Sequence, residues 1–227
     1  AYLNGLGMTL LMNIRAGSIE KKDPSLRAAF AGFRYVWDHK MILGCISLDL
    51  FAVLLGGAVA LLPVVAKDIL HTGPWGLGVL RSSPAVGAVV TALWVAHHPL
   101  EKRAGVKMLW CVAVFGVGTI IFGLSSNVLL SVAALLLVGG TDMISVVVRG
   151  TLVQLATPRA MRGRVSAVNL LFTGASNQVG QFESGFTAQW LGTVPAIVLG
   201  GLGAITIVAI WAWRFPELRR IENLARR

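Results

Sequence analysis

Apolar positions along this chain come in long blocks, not in alternation. Six blocks approach or exceed the roughly 20 residues that a helix needs to cross a bilayer core. They are Met41–Ala66, Trp75–His97, Val106–Leu124, Asn127–Gly150, Ser166–Trp190 and Val194–Arg214. No period-two pattern competes with them, and a helix satisfies its own backbone polar groups in lipid. The pattern therefore predicts an all-α integral membrane protein, a six-transmembrane-helix bundle.

The fifth block is the weakest, because it carries Asn169, Thr173, Ser176, Asn177, Gln178, Gln181, Glu183 and Ser184. The positions of the basic residues settle whether it crosses. Of the 20 Lys and Arg, 17 fall in four polar segments: Arg15–Lys40, Lys102–Lys107, Arg159–Arg164 and Arg214–Arg227. The intervening turns hold Lys67 and nothing else basic. Basic segments collect on the cytoplasmic side. Two spans must then separate Arg164 from Arg214, so Ser166–Trp190 is expected to cross despite its polarity.

Composition agrees. The 227 residues are 56% hydrophobic and 13% charged, with a mean hydropathy of +0.74. A soluble domain carries about 25% charged residues. A disordered chain is excluded by the hydrophobicity, and a soluble globule by the apolar surface it would have to hide. The net charge of +10 lies in the four segments, not on one binding face, so no nucleic-acid partner is expected. Cys45 and Cys111 sit inside apolar blocks at no metal or disulfide spacing and read as small buried hydrophobes.

Residues 1–14 are apolar but too short to cross, and read as the end of a preceding transmembrane helix. Residues 15–40 read as a cytoplasmic linker with an amphipathic helix, in which Leu26, Phe30, Phe33 and Trp37 recur at helical spacing. A membrane-surface position suits that stripe. Residues 41–214 form the six-helix domain and 215–227 a cytoplasmic tail. Pro63, Pro84, Pro195 and the Gly56-Gly57 and Gly200-Gly201 pairs read as sites of kinking and close helix approach. The glycines of Leu199–Ala204 follow no strand and make no nucleotide loop.

Five ionisable side chains lie within the blocks: Asp49, Arg81, Asp142, Arg149 and Glu183. Each costs at least about 2.5–3.5 kcal/mol facing lipid near the bilayer centre, so each is expected to face protein or a wet cavity. At about 1.5 Å per residue, Asp49 and Asp142 each lie about 12 Å from the cytoplasmic ends of their blocks. Arg81 and Glu183 sit at comparable depth from the other side and are expected as a supporting pair. Arg149 shares a helix face with Asp142 (i, i+7), with snorkelling to the headgroups as its other reading. In the fifth block Asn169, Thr173, Ser176, Gly180, Glu183 and Thr187 recur at spacings of four and three, which makes one polar stripe. Such a stripe faces a water-filled path or a neighbouring helix, and its length favours the path. His97-His98 reads as an interfacial feature with no third metal ligand. No motif of a protease, P-loop enzyme or dinucleotide-binding protein is present, and no cofactor is expected.

With six spans, basic ends and a long basic segment before the first span, residues 35–215 resemble the C-terminal six-helix half of a major facilitator superfamily transporter, in its enterobactin-exporter-like and macrolide-efflux-like branch. The stretches that carry the resemblance are Ser47–Gly57, Pro74–Arg81 and Arg149–Ser184, the last with Pro158, Arg162, Gly163, Arg164 and Asn169. Pro158–Arg164 is similar to the family's cytoplasmic loop between its tenth and eleventh helices. Of the superfamily loop signature Gly-x-x-x-Asp-Arg-x-Gly, only Lys102-Arg103-Ala104-Gly105 is echoed, without the Asp. A complete member has about twice this length. The resemblance implies a secondary active transporter half in the inner membrane, multi-pass with both termini cytoplasmic. Its expected partners are the lipid bilayer, a small-molecule substrate such as a siderophore or drug, and a missing N-terminal half or a second copy. It also implies proton-coupled efflux. The first and fourth spans of this half line the family's central cavity, which makes Asp49 and Asp142 the expected proton-coupling residues, one holding a proton that it releases as the cavity rehydrates. Arg81, Arg149, Glu183, Asn169, Thr173 and Asn177 would support them. The competing reading is a membrane scaffold that keeps the fold without transport; an intramembrane enzyme has no motif behind it.

Overall fold

The computed structural model describes residues 26–56, 58–98 and 104–216. Among them every regular element is helical: α1 Leu26–Asp38, α2 Lys40–Leu55, α3 Pro74–His97, α4 Ala104–Leu124, α5 Val128–Ala156, α6 Arg159–Leu191 and α7 Thr193–Arg214. The expected stump at 1–14, the basic pair Lys102-Arg103 and the tail beyond residue 216 lie outside the described residues.

Each of the six blocks contains a helix of the bundle, but the ends and one interior differ from expectation. α2 stops at Leu55. The chain continues outward as a 3-10 turn Ala58–Leu61, a single α-turn Leu62–Val64 and a π-turn Val65–Ile69. Pro63, which has no N–H to give, sits in the middle of this irregular stretch. The expected unbroken helix over Met41–Ala66 is therefore a helix and a broken continuation. α5 runs six residues beyond Gly150, and α6 starts seven residues before Ser166. At 33 residues α6 is about 50 Å long, well over the roughly 30 Å hydrocarbon thickness. Pro158 is its N-cap, so Arg159–Arg164 is helix, not the expected loop, and only Thr157 and Pro158 separate α5 from α6. By length and composition, five stretches suffice to cross a membrane: the α2 region through Ile69, α3, α4, α5 and α7. α6 has the length but not the apolarity, because polar residues such as Arg162, Asn177, Gln178 and Gln181 stand on its exposed side. It packs within the bundle against α1, α2 and α7. The chain is a multi-pass membrane protein.

Local chemistry sets the turns on the side away from the basic segments. Asn127 caps α5, its side-chain oxygen accepting from the Leu129 N–H at 2.8 Å. Ser131 Oγ donates to Ser125 Oγ at 3.0 Å across the same turn. Pro74 opens α3 directly after Gly73, where a missing N–H costs nothing. Gly192, at φ +93°, reverses the chain between α6 and α7 in a conformation that suits glycine.

α5 is central. It packs on α3 and α4, and α4 packs in turn on α7. Glycines let these pairs approach at backbone distance. A Cβ on Gly139 would strike the backbone of Pro84, and one on Gly87 the backbone of Leu136, so α3 and α5 meet at both positions. Gly116 of α4 and Gly201 of α7 face one another the same way, with the Gly201 carbonyl 2.8 Å from where a Gly116 Cβ would stand. Gly200 abuts the Leu55 carbonyl. The close-packing role expected for Gly200 and Gly201 is thus realised. Pro84 interrupts the α3 hydrogen-bond ladder, and the Ser83 hydroxyl donates to the Val79 carbonyl at 2.7 Å one turn earlier.

Apolar burial falls into two layers. One, towards the basic side, joins Ile42, Leu48, Met108, Val148 and Val165. The other, towards the opposite side, joins Leu62, Val65, Leu80, Phe122 and Ile197. α1 closes the basic end. Phe33 stacks on Phe172 of α6 with centroids 6.1 Å apart, and Tyr35 Oη donates to the Ala156 carbonyl at 3.3 Å. The helix expected on the membrane surface therefore also rests on the α5–α6 turn, with Phe33 and Trp37 left exposed.

Candidate functional site

Between the two apolar layers lies a small cavity of about 10 Å³, about the room of one water molecule, whose walls are mostly apolar. It sits where α2, α4 and α5 meet. Its lining includes Asp49 from α2, Cys111 and Phe115 from α4, and Thr141, Asp142 and Ser145 from α5. The two carboxylates singled out in the sequence thus open onto one space. Cys111 joins them, and no sequence signal marked it. Thr141, Asp142 and Ser145 form one face of α5 at i, i+1 and i+4 spacing, which brings their side chains round to α2 together.

Asp49 is 5% exposed and forms an ion pair with Arg149, itself 5% exposed. Arg149 therefore does not snorkel to the headgroups. α5 continues for seven residues past it, so it lies inside the bundle, not at a helix end. Among the described residues the only other ion pair is Arg34–Asp38 on the surface of α1. A buried pair of this kind is poor evidence of stability, since desolvation offsets most of the attraction. Removing one partner is another matter, because it strands a charge. Asp142 has no ion pair or side-chain hydrogen bond among the described residues. The cavity region thus contains two carboxylates and one guanidinium.

The remaining candidates are distributed elsewhere. Arg81 is exposed on α3, next to Ser82, whose hydroxyl donates to the Val79 carbonyl at 3.0 Å. Glu183 is half-buried on α6 and accepts from Thr187 Oγ1 at 2.9 Å. They form no pair with one another among the described residues, because α3 packs on α5 while α6 packs on α1, α2 and α7. The α6 stripe turns inward. Ser176, Gly180 and Ser184 are buried, and a Cβ on Gly180 would stand 2.7 Å from the Leu54 carbonyl. Within this half the stripe is a helix-packing face, not the water-filled path that its length suggested. Asn169 and Thr173 lie along it, half-buried, with Asn169 Oδ1 buried and without a hydrogen-bond partner among the described residues. Asn177 lies on the exposed side and donates to the Thr173 carbonyl at 3.0 Å. Arg162 Nε donates to the Thr157 carbonyl at 3.1 Å and Arg164 Nη1 contacts Met161 Sδ at 3.5 Å, so the basic start of α6 ties itself to the α5–α6 turn beside Gly163. His97 and His98 each pair Nδ1 with a carbonyl one turn back, at 2.9 and 3.2 Å.

Comparison with known proteins bears on what such a bundle does. A family model described as transmembrane secretion effector matches residues 14–226. Among curated proteins, the enterobactin exporter EntS of Citrobacter koseri is 25% identical over 204 residues, covering 90% of this chain and 49% of the relative. The enterobactin exporter EntS of Escherichia coli O1:K1 is 27% identical over the same length and shares. The chain thus spans about half the length of the curated relatives it matches. No solved structure matches it.

Proposed function

We propose that this chain, which belongs to the transmembrane secretion effector family of the major facilitator superfamily, is the C-terminal six-helix half of a secondary transporter that exports small molecules in exchange for protons entering down their gradient. The family sets it among transport proteins, not enzymes. The observation that carries the coupling is the cavity shared by Asp49 and Asp142 between the two apolar layers. Intramembrane carboxylates facing a shared cavity are usual parts of a proton relay. The relatives are named enterobactin exporters, and a siderophore or a drug of similar size is the substrate class we assign. The site of transport lies between two six-helix repeats near the midplane, which this half supplies on one side.

The test is transport by the full-length protein in proteoliposomes under an imposed pH gradient, with siderophores and drugs as candidate substrates. Gradient-driven flux that collapses with a protonophore supports the reading. Flux indifferent to the gradient would remove the coupling, and absence of flux for every candidate would favour the scaffold reading.

The same reading places both termini, Lys102 and Arg162 in the cytoplasm of a cell with an inner membrane. Lys67, Ser125 and Thr193 then face outward. A cysteine introduced at 125 or 193 is expected to react with an impermeant maleimide in sealed cells, and one at 162 only after permeabilisation. Outside labelling at 162 would overturn the orientation.

A further inference from the structure

The two carboxylates on the cavity are not equivalent. One guanidinium serves both, and it is committed to one of them: Arg149 pairs with Asp49, each 5% exposed. Asp142 opens onto the same cavity from α5 and has no counter-ion among the described residues. The charged and titratable groups around it are few. α2 contributes Asp49, α4 contributes Cys111 with Lys107 one turn further along, and α5 itself contributes Arg149. α3 has Arg81, exposed and three helical turns from Thr91, the α3 residue that meets Gly140. Stranding a buried charge is what a low-dielectric interior resists most strongly. With Asp49 and Arg149 neutralising one another, Asp142, half-buried and facing mostly apolar walls, fits its surroundings as the carboxylic acid. As a carboxylate it requires water or a counter-charge to arrive.

We infer that Asp142 alone carries the exchangeable proton, and that Arg149 is the positioning residue that makes it so by holding Asp49 as a permanent anion. This rests on the proton-coupled reading above and deepens it, since it fixes one proton per cavity where two carboxylates would allow two. The step is an exchange of an O–H bond. Asp142 gives its proton to water when the cavity opens to one side and takes one from water when it opens to the other. Asp49 and Arg149 keep their charges throughout. The i, i+7 relation places Arg149 two turns along the same face of α5, and arginine side chains lean towards the helix N-terminus, which is the direction of Asp142. The pair is therefore close enough to shape the field at Asp142 while it stays bound to Asp49.

The experiment compares four variants of the full-length protein in proteoliposomes. Asp142→Asn is expected to lose gradient-driven flux while keeping substrate binding and gradient-independent exchange. Asp49→Asn with Arg149→Gln removes the ion pair as a unit and is expected to leave the protonated-carboxyl infrared band of Asp142 in place. Asp49→Asn and Arg149→Gln separately strand one charge and are expected to lower the melting temperature below that of the double variant. If the double variant loses the protonated-carboxyl band, or if Asp142→Asn retains gradient-driven flux, the assignment is wrong. Infrared spectroscopy supplies a readout that survives poor folding of the double variant. The protonated-carboxyl band of the unmodified protein is expected to vanish in Asp142→Asn and to persist unshifted in the conservative Asp49→Glu. A band that shifts in Asp49→Glu would place a proton on residue 49 and overturn the inference. Failure of the broader reading looks different: the unmodified protein would then transport without regard to the gradient, whatever the variants do.

Discussion

Replacing Gly139 with leucine is expected to destabilise the bundle by about 3 kcal/mol or more, the upper range for overpacking a filled core. A Cβ at this position would overlap the backbone of Pro84, and the three nearest atoms are all main-chain atoms of that residue. A side chain in the way can change rotamer; a backbone carbonyl inside a helix can move only if the helix moves. The two helices meet again one turn away, where a Cβ on Gly87 would overlap the Leu136 backbone, so they cannot tilt apart at one point without opening the other. In lipid there is no hydrophobic force to drive them back together, and close packing is the main source of association. The measurement is the melting temperature of the detergent-purified full-length protein. Gly163→Leu is the control, because nothing lies within 4 Å of its added Cβ. Equal stability of the two variants would contradict the packing described for α3 and α5.

The second large effect concerns the chain by itself. Reconstituted as a monomer, these 227 residues are expected to transport nothing, whereas co-expression with a six-helix N-terminal half restores flux. Alternating access in this superfamily rocks one repeat against another around a site between them. The exposed surface is more polar than lipid alone would suit. Asn177, Gln178 and Gln181 are exposed on α6, and Arg81 and Ser82 on α3. An arginine facing lipid near the bilayer centre costs at least about 2.5–3.5 kcal/mol, and amide side chains in hydrocarbon also need partners. The same surface shows Gly174 and Gly185 with open space where a Cβ would stand. Flux from a chain shown by cross-linking and light scattering to be monomeric would refute this expectation. Flux from a homodimer would instead identify the second copy as the other half.

Much of this was legible in the residues. Block length and the placement of Lys and Arg identify the six crossing segments, including the polar one, because both depend only on transfer energy and topology. The extra turns of α5 and α6 are not legible that way. Arg159–Arg164 is polar, and hydropathy cannot tell a polar helix that has left the bilayer from a loop. The break after Gly56 was hidden for the opposite reason: Ala58–Ile69 is almost wholly apolar, whatever its hydrogen-bond pattern, and only Pro63 and the glycine pair hinted at it. The ionisable residues stood out individually, and the i, i+7 relation of Asp142 and Arg149 could be counted. Their partners could not. Pairing Arg149 with Asp49, and not Arg81 with Glu183, depends on the rotation of each helix about its axis and on which helices are neighbours. Those are set by the glycine contacts, which single-chain spacing does not reveal.

The irregular outer half of the first span has a mechanical consequence. α3 and α5 interlock through main-chain contacts at Gly87 and Gly139, and α4 and α7 at Gly116 and Gly201, while α4 also packs on α5, so little give is left among these four helices. Bending then concentrates where the ladder of i to i−4 hydrogen bonds is already interrupted, between Gly56 and Ile69, with its 3-10 and π turns. That compliant segment begins less than two turns beyond Ala52 and Val53, which line the cavity with Asp49. Flexing there would swing the irregular segment about the end of α2, as a door turns on its jamb, while the Asp49–Arg149 clasp on the basic side of the break stays put.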